Sequence, residues 1–212
     1  MEIKPCRKEV EKYLPKMEKF TKETIEKKVE TCFSIGITPG GREVQRIGVP
    51  TEILKVPACR VPLPIPPERS FLLFHTHPPG AATKGLGPED TLIEPFPTFD
   101  YFCVANPDDK SIRCYRPSDV RGDPAYGREV DAFMRNVESF YFELRRCDEK
   151  RAFQRLPPIG DEVIELISKP NHSAAVSLLR EGECTEALRM LEEAYDRWNK
   201  FIVKKACATF TL

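Results

Sequence analysis

Between residues 6 and 29, apolar side chains recur every three to five positions in an otherwise charged stretch: Val10, Tyr13, Leu14, Met17, Phe20, Ile25 and Val29. That spacing predicts one or two amphipathic helices, kinked or divided at Pro15. The period then changes. Residues 31–38 read as a strand, Pro39-Gly40-Gly41 as a turn, and residues 43–49 as a second strand. Residues 52–56 read as a third, and the proline-rich residues 61–67 as an extended connector that also imitates a PxxP ligand. Four apolar residues, Phe71 to Phe74, then suggest a buried strand running into His75-Thr76-His77-Pro78.

Downstream, Thr91-Leu92-Ile93 leaves room for one helical turn before Pro95 and Pro97. Residues 99–105 and 111–115 read as strands of a hairpin, joined by Asn106-Pro107-Asp108-Asp109-Lys110. Val130, Phe133, Met134, Val137, Phe140, Tyr141 and Leu144 recur at three and four, so residues 128–147 form an amphipathic helix with its aromatic stripe packed on the sheet. A linker at 156–160 precedes helices over 161–168 and 174–180, then a long helix from Cys184 to Ile202. The expected division is a main domain, residues 1–155, and a helical C-terminal extension, residues 156–212.

With 33 basic and 33 acidic residues the chain carries no net charge, so no basic footprint for nucleic acid or an anionic membrane is visible. No apolar run is long enough to span a bilayer, and the charged N-terminus lacks a secretion signal, so a cytoplasmic location is expected. Eight cysteines stand at long intervals without a Cys-x-x-Cys pair. A cysteine zinc site is thereby disfavoured, and buried free thiols are expected, with Cys103 and Cys114 alone near enough along a hairpin to pair. Twenty prolines and 31% charged residues are compatible with heat adaptation.

Two of the three histidines, His75 and His77, stand two apart at a strand end. Alternate strand residues project to one face, so both imidazoles should lean toward one point. Such a pair is often only a polar strand end. Here Pro78-Pro79-Gly80 stops the strand, and the loop after it can return a carboxylate, Asp90, to the same place. Two imidazoles and a carboxylate suit zinc with a fourth position open. The third histidine, His172, reads as a surface or capping residue of a loop.

His75-x-His77-Pro78 followed by Gly87-Pro88-Glu89-Asp90 resembles the His-x-His-Pro…Ser-x-x-Asp signature of the JAMM (MPN-domain) metalloproteases. The loop is two residues longer than usual, and Gly87 stands where the family has serine. A family glutamate at a helix-to-strand junction, in Glu-x-x-Gly-x-Leu-x-Gly, is matched by Glu30, with Ile35 and Gly36 in register and Phe33 replacing the first glycine. Glu26 and Glu43 are rival positions for it, and Glu30 also reads as an ordinary helix-ending residue. The resemblance spans roughly residues 17–147. It implies an α/β (α+β) fold with a mixed, mainly antiparallel sheet flanked by helices, cytidine-deaminase-like. It also implies Zn2+ held by His75, His77 and Asp90, Glu30 as general base, and hydrolysis of a peptide or isopeptide bond at a ubiquitin-like modifier, so the partner is a protein substrate. Loss of the serine removes a donor to the oxyanion, for which Thr83, Thr91 or a loop amide would have to substitute. The alternative is a noncatalytic or weakly active MPN-type scaffold. Residues 174–198 are similar to one tetratricopeptide hairpin, a single copy that reads as an appendage. The oligomeric state is not legible.

Overall fold

Residues 3–53, 56–92 and 96–212 are described by the structure, a computed structural model. In chain order the elements are α1 (Arg7–Val10), α2 (Leu14–Lys27), β1 (Cys32–Ile37), β2 (Glu43–Ile47), β3 (Val49–Ile53), β4 (Val56–Arg60), β5 (Arg69–Thr76), α3 (Pro88–Leu92), β6 (Tyr101–Asn106), β7 (Ser111–Tyr115), α4 (Pro117–Arg121), α5 (Tyr126–Phe153), α6 (Gly160–Ser168), α7 (His172–Glu181), α8 (Thr185–Ile202) and β8 (Ala208–Thr211). Six strands make one mixed sheet in the order β2-β1-β5-β6-β7-β8, and β3 pairs with β4 as a separate hairpin. Among the described residues, β5 and β6 are the one parallel pair of the sheet. Parallel neighbours require a crossover, and residues 77–100, which follow the His-x-His strand, provide it.

The N-terminal helices divide at a 3-10 turn, Glu11–Tyr13, rather than at Pro15. Pro15 sits in the first turn of α2, where its missing N–H leaves no bond unmade. The predicted strand over 52–56 includes Leu54 and Lys55, which lie outside the described residues; its flanks belong to β3 and β4. Of the turn predicted at Thr91-Leu92-Ile93, the first two residues end α3 and Ile93 lies outside the described residues.

The sheet is covered on both faces. Val10, Tyr13, Met17 and Phe20 pack on Phe33, Ile35 and Phe74 on one side. Phe133, Ala194, Trp198 and Ile202 of α5 and α8 pack on Leu73, Phe102 and Val104 on the other. On α5, Phe133, Phe140 and Leu144 are buried as the stripe predicts, while Met134 and Tyr141 face outward. Residues after 156 are not helical throughout. The alternating Ala208-Thr209-Phe210-Thr211 pairs with β7 and supplies the sheet's edge, burying Ala208 and Phe210.

The expectation of free thiols is overturned. All eight cysteines pair, as Cys6–Cys207, Cys32–Cys59, Cys103–Cys114 and Cys147–Cys184. Spacing suggested only the third, whose residues face each other across β6 and β7. The others close separations of 201, 27 and 37 residues, distances that the fold spans and a sequence reading cannot.

Candidate metal centre

The register of β5 decides which side chains meet. Ile35 pairs with Leu72 but Gly36 pairs with Ser70, so Phe71 is an extra residue in the strand. Past that bulge alternation resumes: Phe74 points into the core under α2, and Leu73 and His75 point to the opposite face, toward α8. His77 continues this second series. Its N–H donates to Ala105 O (2.9 Å), extending the ladder one residue beyond the strand, and the two imidazole centroids lie 5.0 Å apart.

The crossover returns Asp90 to them from the short α3. One carboxylate oxygen lies 3.5 Å from His75 Nε2 and the other 3.4 Å from His77 Nε2. All three donor atoms fall within 4.8 Å of one another, a cluster that can hold a metal ion. Outer contacts fix the ligands. Thr83 Oγ1 stands 3.1 Å from His77 Nδ1, which leaves Nε2 to face Asp90. Gly87 N–H donates to Asp90 Oδ2 (2.6 Å).

Glu30 reaches the same place from the other side of β5. Lys28 ends α2 in the left-handed conformation, φ 55°, and three buried threonines then lock the turn into β1. Thr76 Oγ1 bonds Thr24 Oγ1 (2.5 Å) and accepts from Thr31 N–H (2.9 Å), while Thr76 N–H donates to Thr31 O (3.0 Å). Glu30, one residue before Thr31, lines one cavity of about 520 Å³ together with His75, His77 and Asp90. Its sequence rivals are elsewhere: Glu43 is bound to Lys12 and Tyr13, and Glu26 is exposed on α2.

Burial sets the protonation states. Half-buried at the edge of this largely apolar cavity, Glu30 has its pKa pushed up to about 8 by desolvation of its carboxyl; His77 opposes the rise, and Asp90 and Glu89 add to it. Burial likewise takes His75 down to about 4 against the pull of Asp90. For His77, burial is outweighed by the hydrogen bond and charge of Asp90 and the charges of Glu30 and Glu89, so its pKa rises. For Asp90, burial is outweighed by His75, His77 and the Gly87 amide, which hold it below the usual carboxylate range. A neutral His75 and an ionised Asp90 are the forms that ligate metal.

The neighbourhood of Gly87 is occupied. A Cβ built there would meet Glu89 Oε1 at 2.5 Å, so the Glu89 carboxyl fills the space that a serine side chain would take. Although Glu89 is an exposed residue overall, desolvation of its carboxyl end and the charge of Asp90 push its pKa up. Of the substitutes expected from sequence, Thr83 lines the cavity but is engaged with His77. Thr91 Oγ1 donates to Pro88 O (2.7 Å) and meets the Tyr126 hydroxyl (3.0 Å). The Gly87 amide is taken by Asp90.

Comparison with protein-family models, curated proteins and solved structures finds no match.

The rest of the cavity was not legible as a site. The β3–β4 hairpin forms one wall through Ala58, Cys59 and Arg60, tied to β1 by the Cys32–Cys59 disulfide. The C-terminal helices form another. Trp198 Nε1 donates to Leu86 O (2.7 Å), and Asn199 accepts from Lys84 N–H (2.8 Å) and donates to Ala82 O (3.0 Å), so α8 holds the loop that carries Thr83. His172 is not the surface residue expected. Asn171 caps α7, accepting from Ala174 N–H, and the His172 imidazole lines the cavity with Tyr195.

Proposed function

We propose that this protein is a zinc-dependent amide hydrolase of the JAMM kind, with His75, His77 and Asp90 as ligands and Glu30 as general base. The convergence of those three side chains in the cavity that Glu30 also lines carries the reading. Zinc ligands about 2.0–2.1 Å from a tetrahedral ion stand roughly 3.3 Å apart, and the carboxylate oxygens here stand 3.4 and 3.5 Å from the imidazole nitrogens. When bound, zinc polarises the scissile carbonyl and brings a water's pKa toward neutrality.

Every other step belongs to the chain's own residues. Glu30 accepts the attacking water's proton and returns it to the leaving amine; its apolar surroundings make the carboxyl a stronger base than one in water. Thr83 holds the His77 ring so that Nε2 faces the ligand position. The apolar walls exclude competing water and receive the chain on either side of the scissile bond. The substrate is a protein or peptide, cut at a peptide bond or at an isopeptide bond to a ubiquitin-like modifier.

Gly87, with the Glu89 carboxyl beside it in place of the family's oxyanion donor, favours a second reading, an MPN-type scaffold with little turnover. Elemental analysis of the purified protein, paired with a panel of peptide and isopeptide substrates, separates the two. Zinc with cleavage supports the hydrolase, zinc without cleavage the scaffold, and absence of zinc removes the metal centre.

A further inference from the structure

His172 opens α7, and its main-chain N–H donates to Gly80 O (3.2 Å), in the loop that leaves His77. That docking leaves no slack. Gly80 sits at φ +93°, and a Cβ there would fall 2.0 Å from Pro170 O. The imidazole is thereby fixed on the cavity wall, edge-on to the Tyr195 ring with centroids 5.2 Å apart.

Nothing in the packing calls for a polar ring here. His172 Nδ1 is buried with no hydrogen-bond partner, where an apolar residue would incur no desolvation cost. A lone pair is less costly to leave unpartnered than an N–H, which assigns the proton to Nε2. Burial favours the neutral ring, although Glu192 and Asp196 of α8 pull the other way. Tyr195 adds a phenol to the same wall, kept protonated by burial and by the nearby Glu89. Two neutral donors suit an oxygen acceptor. The cavity already holds the carboxyls of Glu30, Glu89 and Asp90, which disfavour a second anion.

Building on the hydrolase reading above, we propose that His172 is a substrate-binding residue. Its Nε2–H donates to a main-chain carbonyl of the substrate, with the Tyr195 hydroxyl as a second donor, and the site takes an uncharged, extended peptide segment beside the scissile amide. Helices α7 and α8 are then the specificity wall, not an appendage.

With only three histidines in the chain, ring-nitrogen NMR of the purified protein can follow His172 directly. Titration with acetyl-Ala-Ala-Ala-amide is expected to move the Nε2 signal of an Nε2-protonated ring, and His172→Phe removes that signal. In cleavage assays on the substrate panel, His172→Phe and Tyr195→Phe each raise KM about tenfold, the loss of roughly one hydrogen bond, with kcat, zinc content and Tm unchanged. Tyr195→Phe keeps the test valid if the first variant folds poorly. A His172 signal that the probe leaves still, or KM values unchanged in both variants, overturns the proposal. Tighter binding of the free acid acetyl-Ala-Ala-Ala than of its amide overturns the choice of a carbonyl. If the wild type cleaves nothing, the hydrolase reading fails by itself, while the probe titration still decides whether His172 binds peptide.

Discussion

The two sides of the cavity are built by different means. On the metal side, His75, His77 and Asp90 come from one strand and the crossover that follows it, and Glu30 from the neighbouring strand's entry. On the opposite side, the β3–β4 hairpin comes from just before β5, and α6 to α8 from well after β7. They are held by a disulfide, by three hydrogen bonds from Trp198 and Asn199, and by the bond from His172 to Gly80. The lesson is that a ligand motif does not position itself. The loop between His77 and Asp90 is tied both to Asn106, Asp108 and Arg113 and to Trp198 and Asn199, more than a hundred positions away.

The largest effect is expected from Trp198→Ala. It deletes a fully buried side chain and its bond to Leu86 O, which typically costs about 3–5 kcal/mol. Denaturant unfolding should show that loss, and metal should dissociate more readily from the loosened loop. Unchanged metal affinity in the folded variant would mean that the metal side stands alone.

Next in size is the pH dependence of the chelated protein. Glu30 titrates at about 8 when folded against 4.5 as a free side chain, so the unfolded chain loses its proton first. Its contribution to stability is flat below pH 4.5, falls as pH rises to about 8, and is flat beyond. His75, depressed to about 4 from 6.5, acts in the opposite sense, with stability lost as pH falls from 6.5 toward 4. The difference between Glu30→Gln and wild type isolates the first. On the order of 2–3 kcal/mol should favour the variant at pH 7 and vanish near pH 4. A pH-independent difference contradicts the burial of this carboxyl.

The smallest effect sharpens the contrast. Thr83→Val removes the partner of His77 Nδ1 at constant volume, and outer-sphere losses of this kind lower metal affinity about 10–100-fold. Competition against a chromophoric chelator measures it, with Tm little changed.

Local periodicity made the metal side legible. The His-x-His spacing on a strand, the proline stop and the amphipathic α5 all follow from backbone geometry acting over a few residues. The other side was not, because its determinants are tertiary. A single histidine in a loop carries no pattern, yet the fold carries His172 onto the cavity wall. Cys6 and Cys207 meet only because β8, unforeseen in the sequence, closes the sheet beside the N-terminal helices. Glu89 carries no pattern of its own beside Asp90, and only the fold places its carboxyl next to Gly87.

The four disulfides also bear on where such a chain works. They fit an oxidising compartment or the interior of a hyperthermophile. No described helix is long and apolar enough to cross a membrane.

The proposed chemistry needs three side chains to hold one divalent ion and Glu30 to move the proton beside it. Zinc content and amide cleavage, measured on the same preparations of wild type and Glu30→Gln, test it most directly. The expected result is equal zinc in both and hydrolysis lower in the variant by about 10²–10⁴. A wild type that binds no zinc, or a zinc-loaded Glu30→Gln that cleaves at the wild-type rate, would contradict it.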